Sequence, residues 1–155
     1  MSYMYDYPMQ SVTASVIIMA SDDTVLLIKR KDNPEKGKWC FPGGFSEATK
    51  ETVEQAAARE MLEEVGLKIQ EDCLRLVDVR SKPDRDPRGH IVDIGFASFI
   101  LKPQKDEVKA GDDAAEIQWV HISKLREMDL AFDHNDFAEH FLDQYFDKYF
   151  EAEYL

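Results

Sequence analysis

The stretch from Thr52 to Leu67 constrains the fold more than any other, because it carries the signals for both ends of one helix. Thr52 and Gln55 have the spacing of a capping box, in which each side chain accepts from the other residue's backbone N–H and so fixes the start of a helix. Gly66 suits the left-handed position that follows a helix. Apolar residues recur at every fourth position between these ends and predict one buried stripe, formed by Val53, Ala57, Met61 and Val65.

Six short apolar stretches surround this helix and predict strands, three before it and three after it. The predicted strands are residues 12–20, 24–29, 39–41, 73–80, 90–101 and 117–121, and a second helix is predicted over residues 135–150. The first three strands lack intervening helices, which argues against a doubly wound parallel sheet. We expect an α+β fold, an α/β/α sandwich with a mixed β-sheet, in a single domain over residues 1–155.

The net charge of −12 limits the partners of the chain. A surface this acidic repels nucleic-acid backbones and anionic membranes, so neither is an expected partner. It repels a free nucleotide for the same reason, and a phosphate ligand therefore needs a local cation. That cation is either a metal ion or a cluster of arginines that runs against the overall charge.

The cysteines and the first residues indicate a reducing compartment. Cys40 and Cys73 both fall in apolar, strand-like stretches, so unpaired buried thiols are the expected state. The first eight residues have neither the basic nor the apolar region of a signal peptide. The longest apolar run, residues 14–20, is far shorter than the ~20 residues of a membrane span. We therefore expect a cytoplasmic protein.

Three carboxylates share one face of the predicted helix, because Glu60, Glu63 and Glu64 stand at positions i, i+3 and i+4. One interpretation is a solvated acidic face, in which each like-charge pair costs only about 0.2–0.5 kcal/mol. The other is a site for a hard divalent cation, Mg²⁺ or Mn²⁺, which converts the repulsion into attraction. Glu63 and Glu64 also lie near the negative end of the helix dipole, where Lys or Arg would be more stable. The helix alone leaves both interpretations open.

The residues around this helix resemble the Nudix box, which consists of a glycine, a glutamate and the pattern R-E-U-x-E-E-x-G-U, where U is apolar. Gly44 and Glu51 match the first two positions, and residues 59–67 match the rest at every specified position. The preceding WCFPGG of residues 39–44 also resembles the strand and loop of that family. One departure exists, because six residues separate Gly44 from Glu51 where the family usually has about five, and Thr49-Lys50 replaces the usual glycine.

This resemblance implies a Nudix-type α/β/α sandwich and a magnesium-dependent hydrolase that cleaves phosphoanhydride bonds with water. Arg59 would pair with Glu51 and orient the acidic face, although an exposed ion pair worth ~0–1 kcal/mol is the alternative. The implied metal ligands are the carboxylates of Glu60, Glu63 and Glu64 and the carbonyl oxygen of Gly43, with Mg²⁺ as the expected ion and Mn²⁺ as a substitute.

A further carboxylate outside the box often serves as base or ligand in this family. Asp113 lies in the stretch where such a residue is expected, with Asp112 and Glu116 as rivals. Solvated loop acids are the alternative for all three. The expected catalytic group is therefore Glu51, Arg59, Glu60, Glu63, Glu64 and Asp113.

Three arginines concentrate between residues 80 and 90 of an otherwise acidic chain: Arg80, Arg85 and Arg88. Guanidinium groups suit phosphates and ribose hydroxyls, although an ordinary exposed loop is the alternative. This loop, the Tyr7-Pro8 arm and residues 131–134 together resemble the ADP-ribose pyrophosphatase-like branch of the family. The resemblance implies hydrolysis of ADP-ribose to AMP and ribose 5-phosphate, with the three arginines as substrate-binding residues.

Aromatic residues are candidates both for stacking on a base and for packing. Trp39 and Phe41 precede the box, and core packing is an equal alternative for both. Phe137, Phe141 and Tyr145 recur at i, i+4 spacing on the second helix, where packing is the expected role. The same stripe would also suit the interface of a homodimer, an assembly that is common among relatives.

Two other functions remain compatible with the sequence. A house-cleaning nucleoside triphosphate pyrophosphohydrolase would use the same metal site and would release pyrophosphate. A non-catalytic Nudix-like ligand sensor would need an added DNA-binding module, and no segment here is basic enough or long enough to be one. An RNA-cap hydrolase is disfavoured by the net charge of −12. The expected partner is a small nucleotide, without nucleic acid or membrane.

Overall fold

Seven β-strands form one mixed sheet within residues 4–111 and 114–153, which the computed structural model describes, with side chains for residues 4–111 and 114–145. The strands are β1 Ser11–Ala20, β2 Thr24–Arg30, β3 Trp39–Cys40, β4 Gly43–Phe45, β5 Arg75–Arg80, β6 Ile91–Ile100 and β7 Ala114–His121. The helices are α1 Val53–Val65 and α2 His134–Glu153, and 3₁₀ segments cover Glu71–Cys73, Lys102–Glu107 and Ile122–Glu127.

The sheet is built around β1, which pairs along both of its edges. One edge runs parallel to β6 over the full length of the strand, from Ser11 opposite Ile91 to Ala20 opposite Ile100. The other edge is antiparallel, to β4 near the start of β1 and to β2 near its end. The strand order is β3-β2-β1-β6-β5, with β4 on β1 and β7 on β2. Parallel and antiparallel pairs therefore coexist, and the predicted mixed sheet is confirmed.

Alternation along β1 divides the interior into two cores, because successive side chains of a strand point to opposite faces. The even-numbered residues of β1 lie with the apolar stripe of α1 in one buried cluster. The odd-numbered Ile17 and Met19 lie in a second cluster with Phe137 and Phe141 of α2. Each fully buried large side chain stabilises the fold by about 1.5–3 kcal/mol. A helix thus covers each face of the sheet, as predicted for an α/β/α sandwich.

Both ends of α1 have the predicted caps. The Thr52 hydroxyl accepts from the N–H of Gln55 at 3.1 Å, and the Gln55 side chain accepts from the N–H of Thr52 at 2.9 Å. Gly66 has a left-handed φ of 69°, and the N–H of Leu67 donates to the carbonyl of Met61 at 3.3 Å. Because α1 packs against β1 and β4, its acidic residues lie beside the glycines of β4.

The structure corrects the prediction for Cys73, which is exposed at the end of a 3₁₀ turn and not buried in a strand. The chain leaves α1 through this polar turn, and β5 begins only at Arg75. Cys40 is free and buried as predicted, and burial raises the pKa of its thiol to about 12. Within the described part of the chain, no helix is long and apolar enough to cross a membrane.

Gly66→Ala should lower the free energy of unfolding by about 1 kcal/mol, because a side chain disfavours the left-handed conformation. A Cβ there would meet only the Glu107 carbonyl, at an ordinary 3.6 Å, so the cost is conformational and not steric. Gly66→Asn should cost less, since Asn tolerates this conformation. Urea unfolding of both variants, with the exposed Lys68→Ala as control, measures the effect. Equal stability of all three variants would contradict this assignment of the helix end.

Candidate active site

The loop that follows β3 brings Gly43 against the acidic face of α1. Pairing of β4 with β1 places Gly43 opposite Ser15. A Cβ on Gly43 would lie 2.3 Å from the carbonyl oxygen of Ala14, so only glycine fits this close approach. The N–H of Gly43 donates to the carboxylate of Glu64 at 2.9 Å. The strand before the box is therefore tied to the last glutamate of the box.

Gly44 makes room for the carboxylate of Glu60. A Cβ on Gly44 would lie 2.4 Å from the carboxyl carbon of Glu60, closer than any real contact. The carboxylate therefore packs directly on the backbone of β4. The side chain of Glu60 is only 15% exposed, whereas that of Glu63, one turn further along the same face, is 60% exposed. Glu60 is thus held in place, and Glu63 is accessible to a ligand.

Arg59 lies at the centre of the acidic face, and its predicted pairing with Glu51 is present. Its guanidinium donates twice to Glu51, at 2.7 and 3.0 Å. The same group donates to Glu60 at 2.9 Å, to Glu63 at 3.1 Å and to the carbonyl of Phe45 at 2.9 Å. The hydrogen bonds with Glu51 are the main reason why the pKa of Arg59 is raised, and they lower the pKa of Glu51. One cation therefore organises three carboxylates.

The extra residue before Glu51 is absorbed in an exposed turn. The N–H of Lys50 donates to the carbonyl of Glu47 at 3.2 Å, and Thr49 takes a left-handed φ of 67°. The N–H of Glu47 in turn donates to the carboxylate of Glu51 at 2.8 Å. Glu51 contacts Arg59, so this pair of the box is formed despite the extra residue.

The donors on this face suit a divalent cation, although they are not gathered around one point. In the described ranges, no three carboxylate, imidazole or thiol groups converge as metal ligands. A single atom of Arg59, Nη1, nevertheless contacts both Glu60 and Glu63, so one cation already spans these two carboxylates. Because Gly44 has no side chain, the carboxylate of Glu60 itself occupies the place of a Cβ and stays on this face of the helix. An all-oxygen set of carboxylates fits Mg²⁺ or Mn²⁺, and the residues present therefore fit the predicted metal.

A cleft of about 120 Å³ opens beside Gly43 and Glu64. Its lining joins hydroxyls and a carboxylate from β1 and β6 with aromatic rings and guanidinium groups from the loops. The residues are Thr13, Ser15, Ile28, Arg30, Cys40, Phe41, Gly43, Gly44, Phe45, Glu64, Arg85, Asp86, Arg88, Asp93, Phe132 and His134. Arg30, Arg85 and Arg88 thus bring guanidinium groups, which suit phosphates, into a lining that also holds three carboxylates.

Arg80, predicted to bind substrate, is instead buried under the cleft and does not line it. Its guanidinium donates to Asp133 at 2.8 Å, to Asp78 at 3.1 Å and to Asp93. Burial opposes the charge, but Asp93, Asp78 and Asp133 outweigh it and raise the pKa of Arg80. The cation also lies 4.4 Å from the ring centre of Phe137. Arg80 is therefore bound to protein carboxylates, which corrects its assignment as a ligand contact.

Arg85 and Arg88 do line the cleft, in two different settings. Arg85 is 4% exposed and donates twice to Asp133, at 2.6 and 2.7 Å. Burial alone would raise the pKa of Asp133, but the hydrogen bonds from Arg85 and the charges of Arg80 and Arg85 lower it to about 2. Arg88 is 39% exposed and pairs with Asp86 at 2.8 Å. Arg85 is thus fixed in the wall, and Arg88 is accessible at the rim.

Phe41 and Trp39, the two aromatic residues before the box, also differ in their position relative to the cleft. Phe41 lines the cleft, but it is buried and packs edge-on against Phe137 with ring centres 5.3 Å apart. Trp39 lies outside the cleft lining, with the amino group of Lys29 5.8 Å from its ring centre. Tyr7 of the N-terminal arm is exposed and is likewise not part of the lining. Packing therefore explains Phe41 and Trp39, and neither offers an open ring face in the cleft.

The predicted acid outside the box, Asp113, lies outside the described residues, as does its rival Asp112. The other rival, Glu116, is described on β7 and faces Lys29 at 3.5 Å. It does not line the cleft. The assignment of Asp113 therefore stays a prediction.

Sequence reasoning missed Asp93 and His134 in the cleft wall. Asp93 is buried and accepts from the hydroxyls of Thr13 at 2.7 Å and Ser15 at 3.0 Å. The Nδ1 atom of His134 accepts from the N–H of Phe41 at 3.1 Å. Burial, assisted by the positive charge of Arg80, lowers the pKa of His134 to about 3. For Asp93 the available signal was a single carboxylate in the mostly apolar strand 90–101.

Comparison with known proteins assigns the family. The chain matches the NUDIX domain over residues 9–145. It belongs to the NUDIX domain family. It is 46% identical, over 127 residues, to the ADP-ribose pyrophosphatase of Methanocaldococcus jannaschii. The matched region covers 81% of this chain and 69% of that enzyme. These findings confirm the predicted family, and they identify the chain as a Nudix pyrophosphohydrolase, a class that generally uses divalent metal ions.

Two further relatives are longer proteins. The ADPR responsive transcriptional repressor NtrR of Acinetobacter baylyi is 31% identical over 139 residues, which cover 86% of this chain and 54% of the repressor. The crystal structure of a bifunctional NMN adenylyltransferase/ADP ribose pyrophosphatase of Francisella tularensis, complexed with AMP and a manganese ion, superimposes with a TM-score of 0.77 at 28% identity. That match covers 90% of this chain and 43% of the other. The Nudix chain therefore spans about half the length of both proteins.

The buried His134 should make stability fall below neutral pH. The unfolded histidine takes up a proton near its ordinary pKa of 6.5, whereas the folded one stays neutral down to about 3. Between these values the unfolded state binds more protons, so this group lowers the free energy of unfolding by about 2 kcal/mol from pH 8 to pH 5. His134→Asn keeps an acceptor for the N–H of Phe41 and should remove that part of the loss.

Chemical unfolding at pH 8 and pH 5 measures this difference, because all other titrating groups are shared by the two proteins. The same substitution at the exposed His121 is the control. An identical loss of stability in wild type and His134→Asn would show that His134 is protonated in the folded state.

Proposed function

We propose that this chain is an ADP-ribose pyrophosphatase, which hydrolyses ADP-ribose to AMP and ribose 5-phosphate. The observation that carries the proposal is that residues at the predicted metal site and arginines of the loop after β5 line the same cleft. Glu64 and Gly43 of the box line one part of it, and Arg85 and Arg88 line another. A diphosphate needs both positive charge and a metal site within reach of the same ligand. The 46% identity to an ADP-ribose pyrophosphatase supports this substrate.

We propose Mg²⁺ as the metal, with Mn²⁺ as a substitute. The residues that would hold it are Glu60, Glu63, Glu64 and the carbonyl of Gly43. When bound, such a metal lowers the pKa of a water molecule and neutralises charge on the phosphates. The manganese ion in the structure of the Francisella relative supports a divalent ion in this family.

Residues of the chain would position the metal ligands, bind the phosphates and accept a proton from the attacking water. Arg59 positions Glu60 and Glu63 through hydrogen bonds at 2.9 and 3.1 Å, and Glu51 holds Arg59. Arg85 presents a guanidinium whose orientation is set by Asp133. Asp113 stays our candidate for the base that takes the proton of the attacking water. A loss of turnover in Asp113→Asn, with normal turnover in Asp112→Asn and Glu116→Gln, would support that choice.

The sensor alternative has one supporting observation, the 31% identity to an ADP-ribose-responsive repressor. Every acidic residue of the box is nevertheless present in this chain and is held by Arg59 or by Gly43. We therefore favour catalysis. The single domain over residues 1–155, the cytoplasmic location, the homodimer and the lack of nucleic-acid and membrane partners stay predictions.

Product analysis tests the function directly. The protein is incubated with Mg²⁺ and, separately, with ADP-ribose, NADH, diadenosine polyphosphates and nucleoside triphosphates, with EDTA as the control. We expect AMP and ribose 5-phosphate from ADP-ribose, and no product with EDTA. Release of pyrophosphate from a triphosphate would move the enzyme to the house-cleaning class. Binding of ADP-ribose without turnover would favour the sensor.

Glu63→Gln and Glu64→Gln test the metal site. Each should lower Mn²⁺ affinity and turnover by roughly 100-fold, because a carboxylate ligand is replaced by a neutral amide. The fold should stay intact, or become slightly more stable without metal, because repulsion on the helix face is relieved. Glu54→Gln is the matched control, since it makes the same charge change on the same helix away from the cleft. Wild-type metal affinity and turnover in both box variants would sink the assignment.

A further inference from the structure

Two phenyl rings stand at the rim of an otherwise polar cleft. Phe45, the last residue of β4, is 42% exposed and lines the cleft beside Gly44. Phe132, two residues before α2, also lines the cleft, although it is far from Phe45 in the sequence. Removal of such apolar surface from water on ligand binding is favourable. Their position in the ligand cleft makes a ligand the natural cover.

Planar cations already lie against both rings. The guanidinium of Arg88 is 5.0 Å from the ring centre of Phe45 and 5.5 Å from that of Phe132. The guanidinium of Arg30 is 4.8 Å from the ring centre of Phe132. Both rings therefore present a face on which a flat group rests. Aromatic bases use the same faces, and arginine adds a cation–π contact to them.

The backbone at Phe132 is held in a conformation that local preferences disfavour. Phe132 has a left-handed φ of 53°, and Glu35, whose carboxylate accepts from the N–H of Phe132, has a φ of 60°. A bulky residue in this region is rare and persists only where the surrounding structure imposes it. The two loops therefore stabilise each other in a way that keeps the ring of Phe132 in the cleft.

We propose that Phe45 and Phe132 form the subsite for the purine base of the nucleotide, which takes the place of the Arg88 guanidinium on the two phenyl faces. The identity of the base rests on the proposed function. The subsite shares its cleft with Glu64 and Gly43, so that one ligand reaches both the rings and the box. It replaces Trp39 and Phe41 as the base-stacking residues, since Phe41 is buried and Trp39 lies outside the cleft.

The two expected products separate the base from the rest of the substrate, because AMP contains the base and ribose 5-phosphate does not. Calorimetric titration of each product in the presence of Mg²⁺ measures their affinities without requiring turnover. We expect Phe45→Leu and Phe132→Leu each to weaken AMP binding by about tenfold, because stacking is lost. Ribose 5-phosphate binding should change by less than about twofold, since it makes no stacking contact.

Phe99→Leu is the matched control, because Phe99 is 50% exposed on β6 and does not line this cleft. It should leave AMP binding unchanged, and urea unfolding should show that all three variants are folded. Unchanged AMP affinity in both rim variants, or equal losses for the two products, would overturn the subsite. ADP-ribose turnover is measured in parallel. Stacking-dependent AMP binding without such turnover would keep the subsite and reject the proposed function.

Discussion

The alternation of side chains along β1 is the constraint on which the rest of the structure depends. Its even-numbered residues, from Ala14 to Ala20, lie in the core that α1 covers. On the other face, Ile17 and Met19 continue that role beneath α2, but Thr13 and Ser15 are polar and belong to the cleft. The change from hydroxyl to hydrocarbon along one face of one strand therefore marks where the cleft ends and the core begins. A shift of one residue in its pairing with β6 would exchange the two faces.

Two sets of fixed charges flank the cleft. On the helix side, Arg59 is the cation among Glu51, Glu60 and Glu63. On the sheet side, Asp93 and Asp133 are the carboxylates around Arg80 and Arg85. Burying such groups is costly unless each has partners, and every described buried side-chain N or O atom has one. The carboxylates of the sheet side thus hold the guanidinium groups of Arg80 and Arg85 in fixed positions at the cleft.

Local signals allowed prediction of α1 and of the pairing of Glu51 with Arg59, because capping, periodicity and the box all act over short stretches of sequence. The roles of the three arginines could not be separated in the same way. Arg80 and Arg85 are bound by Asp133, which is 53 and 48 residues away, and composition carries no information on such contacts. The prediction for Cys73 was wrong for a related reason. Its apolar neighbours resemble a strand, but Cys73 belongs to the 3₁₀ turn that precedes β5. Asp93 had a local signal that the motif-centred argument did not use.

Local rules are broken mainly around the cleft. Thr49 in the loop of the box, and Glu35 and Phe132 at the rim, all have left-handed φ values that their side chains disfavour. Away from the cleft, the described residues include one further case, Asp23 in the turn between β1 and β2, whose short polar side chain tolerates this conformation, and glycine takes the left-handed position after α1. Strain that persists needs surrounding structure to impose it, and it concentrates where a ligand must be positioned. Thr49 precedes Glu51, which holds Arg59, and Glu35 holds Phe132. Thr49 thus lies two residues before a glutamate that positions the proposed metal ligands. Glu35 hydrogen-bonds to a ring that we assign to the base subsite.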